Sequence, residues 1–220
     1  MKSDKNKTID FGLSECPEYL EKCLKISDET KTLSLEEVTD KIIFGDSLKV
    51  AALLPHESVD LLIADPPYNL DKQFHGYNFH EMAYEAYEKY TEEWISACKP
   101  LLKKNASVYV CCDWKSSSAI ERVLSRHFII RNRITWQREK GRGALKNWKN
   151  SMEDIWFCTV DEDDYVFSID AVKQRRRVVA PYKVDGKPKD WEETEDGNFR
   201  NTCPSNFWDD ISVRSEEHTS

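Results

Sequence analysis

The sequence predicts an α/β fold, a mainly parallel sheet joined by crossover helices, and three observations carry that prediction. Between Lys41 and Val160, apolar runs of strand length alternate with segments of helical spacing. The run Val59–Ala64 reads as an apolar strand of the kind buried on both faces. Two runs are followed by a carboxylate, Asp46 and Asp65, and sheets of this kind bind ligands at the carboxyl ends of their strands.

The first 37 residues are polar; a short helix is predicted around Pro17–Ile26 and no chemistry is assigned to it. Lys41–Phe44 reads as a strand and Leu48–Leu54 as a short helix. After Val59–Ala64, the stretch Asn69–Asn78, with Gly76, reads as a loop able to close over a ligand. Glu81–Leu102 places Met82, Tyr87, Tyr90, Trp94, Ile95 and Leu101 at helical spacing, which predicts core aromatics rather than a base-stacking platform. Ala106–Cys112 reads as a third strand, Ser116–His127 as a helix, Phe128–Trp136 as a fourth strand and Met152–Val160 as a fifth. Residues 38–160 are therefore the expected catalytic domain, preceded by a polar segment and followed by a more polar region over 161–213.

Composition narrows the function classes. At 220 residues and 40% hydrophobic content, the chain is long enough for one sizeable core and is not disordered in character. No apolar stretch has the length of a membrane span, and Met1-Lys2-Ser3-Asp4-Lys5 lacks the apolar core of a signal peptide, so the protein is expected to stay in the cytoplasm. Seven cysteines without paired C-x-x-C spacing predict reduced, buried thiols rather than a disulfide framework or a zinc site. The net charge of −8 is unfavourable for gripping nucleic acid, but cations gather locally: Arg131, Arg133, Arg138, Lys140, Arg142, Lys146 and Lys149 are interrupted only by Glu139. A basic strip can contact phosphates although the whole chain is acidic; a solvated loop with incidental charge is the ordinary alternative.

The most informative residues are Asp65-Pro66-Pro67-Tyr68. Each proline pushes the residue before it into an extended conformation, so the backbone leaves the strand along a fixed path. Neither proline nitrogen carries a proton, so the stretch presents carbonyl oxygens and few donors. An exocyclic amine on adenine or cytosine is a poor nucleophile because its lone pair is delocalised into the ring. The Asp65 carboxylate and the Pro66 carbonyl can accept both amine protons, favour a pyramidal nitrogen and free the lone pair, while Tyr68 stacks on an extruded base. A turn that is merely rigid is the alternative reading.

In this region the chain resembles the amino-group DNA methyltransferases. The resemblance runs from about Lys41 to Val160, with a weaker echo to Val213, and rests on Ile42-Ile43-Phe44-Gly45-Asp46-Ser47, Leu53-Leu54-Pro55, Ser58-Val59-Asp60-Leu61-Leu62-Ile63-Ala64 and Asp65-Pro66-Pro67-Tyr68-Asn69-Leu70 in that order. It implies S-adenosyl-L-methionine as cofactor, double-stranded DNA as substrate and a cognate restriction endonuclease as a partner acting on the same site. Catalytic roles fall on Asp65, Pro66, Pro67 and Tyr68, cofactor contacts on Asp46, Ala64 and Asp65, and DNA contacts on Arg138, Lys140, Arg142, Lys146 and Lys149. Asp in the first motif position implies transfer to the N6 amine of adenine. An N4-cytosine enzyme and a non-catalytic nucleic-acid-binding module remain the alternatives. For Asp46, a helix N-cap stands beside the cofactor role.

The resemblance also implies what should be missing. The family's glycine-rich cofactor turn, expected after the recognition region, has no counterpart here; Gly141-Arg142-Gly143 lies in a basic loop with the wrong surroundings. The fold expected is thus a partial Rossmann-like methyltransferase sheet lacking its C-terminal cofactor-motif strands. Such a chain is expected to bind cofactor poorly and to turn over little. Trp148 is a candidate support for the extruded base or a tryptophan packed on its own domain, and residues 161–213 are the expected start of the target-recognition region, with base-reading residues expected in Lys173-Gln174-Arg175-Arg176-Arg177 and the polar stretch to Asn206. Arg214 to Ser220 resemble a translated sequencing adapter and are expected to be foreign to the protein.

Overall fold

The computed structural model describes residues 13–74, 77–138, 145–178, 183–185, 187–188, 190–209 and 211. Helix α1 (Cys16–Glu21), with Pro17 in its first turn, leads to strand β1 (Leu24–Lys25). Ser34 and Glu37 close a capping box at α2 (Leu35–Val38), each side chain accepting from the other residue's amide. Strand β2 (Ile43–Phe44) pairs in parallel with β1, and α3 (Ser47–Ala51) follows. Then come β3 (Val59–Ala64), an antiparallel pair β4 (Lys72–Phe74) and β5 (Tyr77–Phe79), α4 (Tyr84–Cys98), β6 (Leu102–Cys112), α5 (Ser117–His127), β7 (Ile129–Gln137) and β8 (Met152–Thr159). Beyond them lie β9 (Gln174–Arg177), β10 (Lys183–Val184), β11 (Lys187–Pro188), β12 (Glu192–Thr194), β13 (Gly197–Thr202) and β14 (Phe207–Trp208).

Five strands form the central sheet in the order β14-β7-β8-β6-β3. β3 is parallel to β6 and β14 to β7, while β8 is antiparallel to both of its neighbours, so four strands run one way and β8 alone runs the other. This is the mainly parallel α/β sheet expected from the sequence, with α4 as the crossover from β3 to β6.

Side-chain alternation divides the sheet into two faces. On one, Ala106, Val108, Val110 and Cys112 of β6 and Cys158 of β8 pack against Tyr87, Trp94 and Ile95 of α4 and Ala119, Ile120, Val123 and Leu124 of α5. Full burial of aliphatic side chains such as Ile120 and Leu124 stabilises the fold by about 1.5–3 kcal/mol each. Tyr87, Trp94 and Ile95 are thus core residues, as their helical spacing predicts. On the other face a smaller cluster gathers Ile134, Ile155 and Phe157 with Tyr109, Cys111, Trp136, Tyr165 and Trp208; Tyr109 and Phe157 stack with ring centroids 4.7 Å apart.

The structure corrects four expectations. β3 is not buried on both faces: it forms an edge of the sheet among the described residues, Leu61 and Ile63 are exposed, and Asp60 reaches out to Lys103 Nζ at 2.8 Å. Helices cover only the face to which Leu62 and Ala64 contribute. The strand expected at Lys41–Phe44 stands outside the central sheet, because its backbone finds a partner in β1, where the Leu24 amide donates to the Ile42 carbonyl at 2.8 Å. The expected loop Asn69–Asn78 contains the β4–β5 pair. Buried thiols are confined to Cys112 and Cys158; Cys203 is exposed, and all seven cysteines are free. A three-stranded antiparallel sheet, β12-β13-β9, was not predicted, since its strands are too polar to stand out from a loop. No described helix is long and apolar enough to cross a membrane.

Candidate active site

Asp65 follows β3 at the rim of the sheet and is exposed, while Pro66, Pro67 and Tyr68 are half-buried. The peptide path is tied down on both sides. The Tyr87 hydroxyl, from the core of α4, donates to the Pro67 carbonyl at 3.0 Å. Asn69 brackets Met82: its amide nitrogen donates to the Met82 carbonyl at 2.9 Å and its side-chain oxygen accepts from the Met82 amide at 2.7 Å. The Asn69 backbone amide donates to the Ser116 hydroxyl at 3.1 Å, and that hydroxyl donates to Asp113 Oδ1 at 2.5 Å. Asp113 and Ser116 are buried, so the loop is moored to the N-terminal end of α5 by a satisfied polar network.

Tyr68 turns its phenol toward β8, where it donates to Glu153 Oε2 at 3.2 Å. Burial, with Glu153 and Asp65 nearby, holds that phenol protonated well above the ordinary tyrosine range. Cys111, on the same face of the sheet, is pushed up to about 11 by burial and then by Asp65 and Glu153. Asp65, Tyr68, Cys111 and Glu153 therefore form one acidic, acceptor-rich cluster at the end of β3. Glu153 was not among the residues expected from sequence. Its partner lies 85 residues away, and within Met152–Val160 it reads only as a polar position in a strand.

Asp46 is placed elsewhere, after β2 of the separate two-stranded sheet. It N-caps α3, its Oδ1 accepting from the amides of Leu48 and Lys49 at 3.0 and 3.1 Å. Of its two expected roles, the structure displays the cap. Ala64, on the helix-covered face, packs against the main core.

Three of the five described cations of the basic strip are engaged within the protein. Arg131 lies over the Tyr165 ring at 4.5 Å and donates to Thr159 Oγ1 at 2.9 Å. Arg133 pairs with the buried Asp154 at 3.3 Å. Arg138 pairs with Glu153 and covers Trp136 at 5.2 Å. Lys146, Lys149 and Trp148 are exposed, Trp148 almost completely, so this tryptophan is not packed on its own domain. Lys140, Arg142 and the glycines at 141 and 143 lie outside the described residues, as does the segment 214–220.

This geometry can be set beside known proteins. A family model described as DNA methylase matches residues 59–220. The chain is 26% identical over 171 residues to the Type II methyltransferase M.HpaI of Haemophilus parainfluenzae, covering 77% of this chain and 50% of that protein. It is 33% identical over 132 residues to the DNA adenine methyltransferase YhdJ of Escherichia coli (strain K12), covering 60% of this chain and 45% of that protein. Among solved structures, PvuII DNA methyltransferase (cytosine-N4-specific) aligns with a TM-score of 0.47 at 16% identity, over 81% of this chain and 58% of that one. The chain spans about half the length of the curated relatives it matches. Because the matched residues 59–220 take in the Asp65–Tyr68 loop and every strand of the central sheet, the chain belongs to the DNA methylase family.

Proposed function

We propose that the chain carries the amine-binding half of an S-adenosyl-L-methionine-dependent DNA methyltransferase acting on the N6 amine of adenine extruded from duplex DNA. The observation that carries this reading is the Asp65–Tyr68 loop: an exposed carboxylate, two peptide nitrogens without protons and an aromatic ring, fixed at a strand's carboxyl end by Tyr87 and Asn69. Asp65 and the Pro66 carbonyl accept the two amine protons, and Tyr68 stacks on the base. Alignment and electrostatics then supply most of the acceleration. As the nitrogen–methyl bond forms, Asp65 is placed to take the proton that the amine gives up.

S-adenosyl-L-methionine supplies the methyl group on a positively charged sulfur. The exposed Asp65 carboxylate suits such a cation, and Asp65 with the backbone of Ala64 beside it would hold it, Glu153 being already paired with Arg138. Asp46 would contribute only with its carboxylate still capping α3. Asp in the first motif position and the likeness to an enzyme named as an adenine methyltransferase both support adenine over cytosine. For DNA, Lys146 and Lys149 offer exposed cations, and the strand Arg175-Arg176-Arg177 adds a second basic surface in the expected target-recognition region. A partner endonuclease acting on the same site belongs to the same proposal.

The test uses the 220-residue chain at stoichiometric concentration with isotopically labelled S-adenosyl-L-methionine and unmethylated duplex DNA, followed by digestion and mass analysis of nucleosides. Slow formation of N6-methyladenine, abolished by Asp65→Ala, is the expected result. N4-methylcytosine would reassign the base, and DNA binding with no transfer by any form would indicate a binding module.

A further inference from the structure

We infer that Glu153 is a positioning residue for Tyr68, gripping its phenol with one carboxylate oxygen while Arg138 fixes the other, so that the position and direction of the ring axis are set before any base arrives. The inference rests on the proposed role of Tyr68 as the stacking ring. A tyrosine anchored only at Cβ can swing about its Cα–Cβ bond; one held at its hydroxyl as well keeps its ring axis in place, because that oxygen lies on the line through Cβ and Cγ. Tyr68 is held at the far end by Glu153 Oε2 at 3.2 Å, and the other oxygen, Oε1, pairs with Arg138 Nη1.

Arg138 is itself constrained. Its guanidinium lies over Trp136 at 5.2 Å, and its backbone amide donates to the Ser151 carbonyl at 2.7 Å, closing the β7–β8 ladder where the chain departs toward Lys146 and Lys149. Glu153 sits opposite Trp136 in the register, and its side chain is only 13% exposed. The adjacent carboxylate, Asp154, faces the other side of the sheet and pairs with Arg133 at 3.3 Å, so that of these two β8 carboxylates Glu153 is the one that reaches Tyr68, beside Asp65 of the loop itself. The chain of contacts Arg138–Glu153–Tyr68 thus connects the base of the basic loop to the ring proposed to stack on the substrate. An ion pair serving only to close the hairpin would have no need of Tyr68.

The experiment is tyrosine-selective carbon-13 NMR on the whole chain, with the Tyr68 Cζ signal assigned by its loss in Tyr68→Phe. Glu153→Gln, which keeps the side-chain shape, should shift that signal and broaden it as the phenol loses its anchor and the side chain gains freedom. Arg138→Gln should do so more weakly, while folding stays intact by circular dichroism. Single-turnover transfer to DNA should fall about tenfold in Glu153→Gln, and the two changes should be non-additive, Glu153→Gln having no further effect in a Tyr68→Phe background. Tyr68 signals unchanged in Glu153→Gln, or fully additive losses, would overturn the inference. Absence of transfer by every form, with the Tyr68 signal still responding to Glu153→Gln, would overturn the functional reading while upholding Glu153's hold on the ring.

Discussion

The two faces of the central sheet are built from the same strands and do different work. In β6, Val110 and Cys112 point into the helix-covered core, while Cys111 between them points to the rim cluster. In β8, Asp154 faces one way and Glu153 the other, and β3 hands over from Ala64 in the core to Asp65 in solvent. Because successive side chains point to opposite faces, the packing that fixes the backbone also fixes where the neighbouring side chain leaves the opposite face. The helix-covered face is apolar and closed; the opposite face is acidic at its rim and only partly covered. Rigidity is supplied from one side, and the other displays the groups proposed to carry the chemistry.

Substitutions should separate the two faces. The largest effect on stability is expected from Ile120→Ala, which opens a cavity under α5 and should cost about 2–5 kcal/mol by denaturant unfolding. Its counterpart at the rim, Asp65→Ala, should lower single-turnover methyl transfer about 10²–10³-fold while changing stability by less than about 0.5 kcal/mol, because the side chain is exposed. Between the extremes stands the mooring of the loop. Ser116→Ala orphans the Asn69 amide and one bond to the buried Asp113, and should cost about 1–3 kcal/mol and reduce transfer together.

An alkaline effect is also expected. Folding raises the thiol of Cys111 from 9.0 to about 11 and that of Cys158 to about 12, in both cases chiefly by burial. The unfolded chain therefore loses these protons first as pH rises. The associated stability is fully present below pH 9.0 and should decline through pH 11–12, which unfolding midpoints measured across that range would reveal. The smallest effect is expected from Lys146→Ala or Lys149→Ala: no change in thermal midpoint, and a fall of about 1 in the slope of log DNA affinity against log salt for each.

Strongly periodic or apolar segments were legible in the sequence. Apart from the β4–β5 pair, the strands and helices from Val59 to Thr159 fall within a few residues of their expected bounds, since their patterns reflect burial against one another. What escaped depended on contacts between distant segments. β3 looked buried because its composition is apolar, but composition does not say whether a second layer covers the strand, and none covers Leu61 and Ile63. The strand at Ile43–Phe44 was recognised but assigned to the wrong sheet, for nothing local distinguishes pairing with Leu24–Lys25 from pairing within the main sheet. At the site, the Asp65–Tyr68 motif stands out by its prolines, whereas Glu153, Asp113 and Tyr87 are ordinary residues whose importance lies in what the fold brings to them. The arginines of the basic strip illustrate the reverse error: clustered charge suggested a free surface, and three of them, Arg131, Arg133 and Arg138, are held by internal partners.

One consequence of β3 concerns handling. Its amides and carbonyls are paired with β6 along one side only among the described residues, and Leu61 and Ile63 lie bare beside that open ladder. An unsatisfied ladder flanked by aliphatic side chains is a template on which extended segments of other molecules can polymerise. Turbidity and light scattering of the purified chain should therefore climb steeply with concentration, and Ile63→Lys should suppress that growth by making docking of a second strand electrostatically costly.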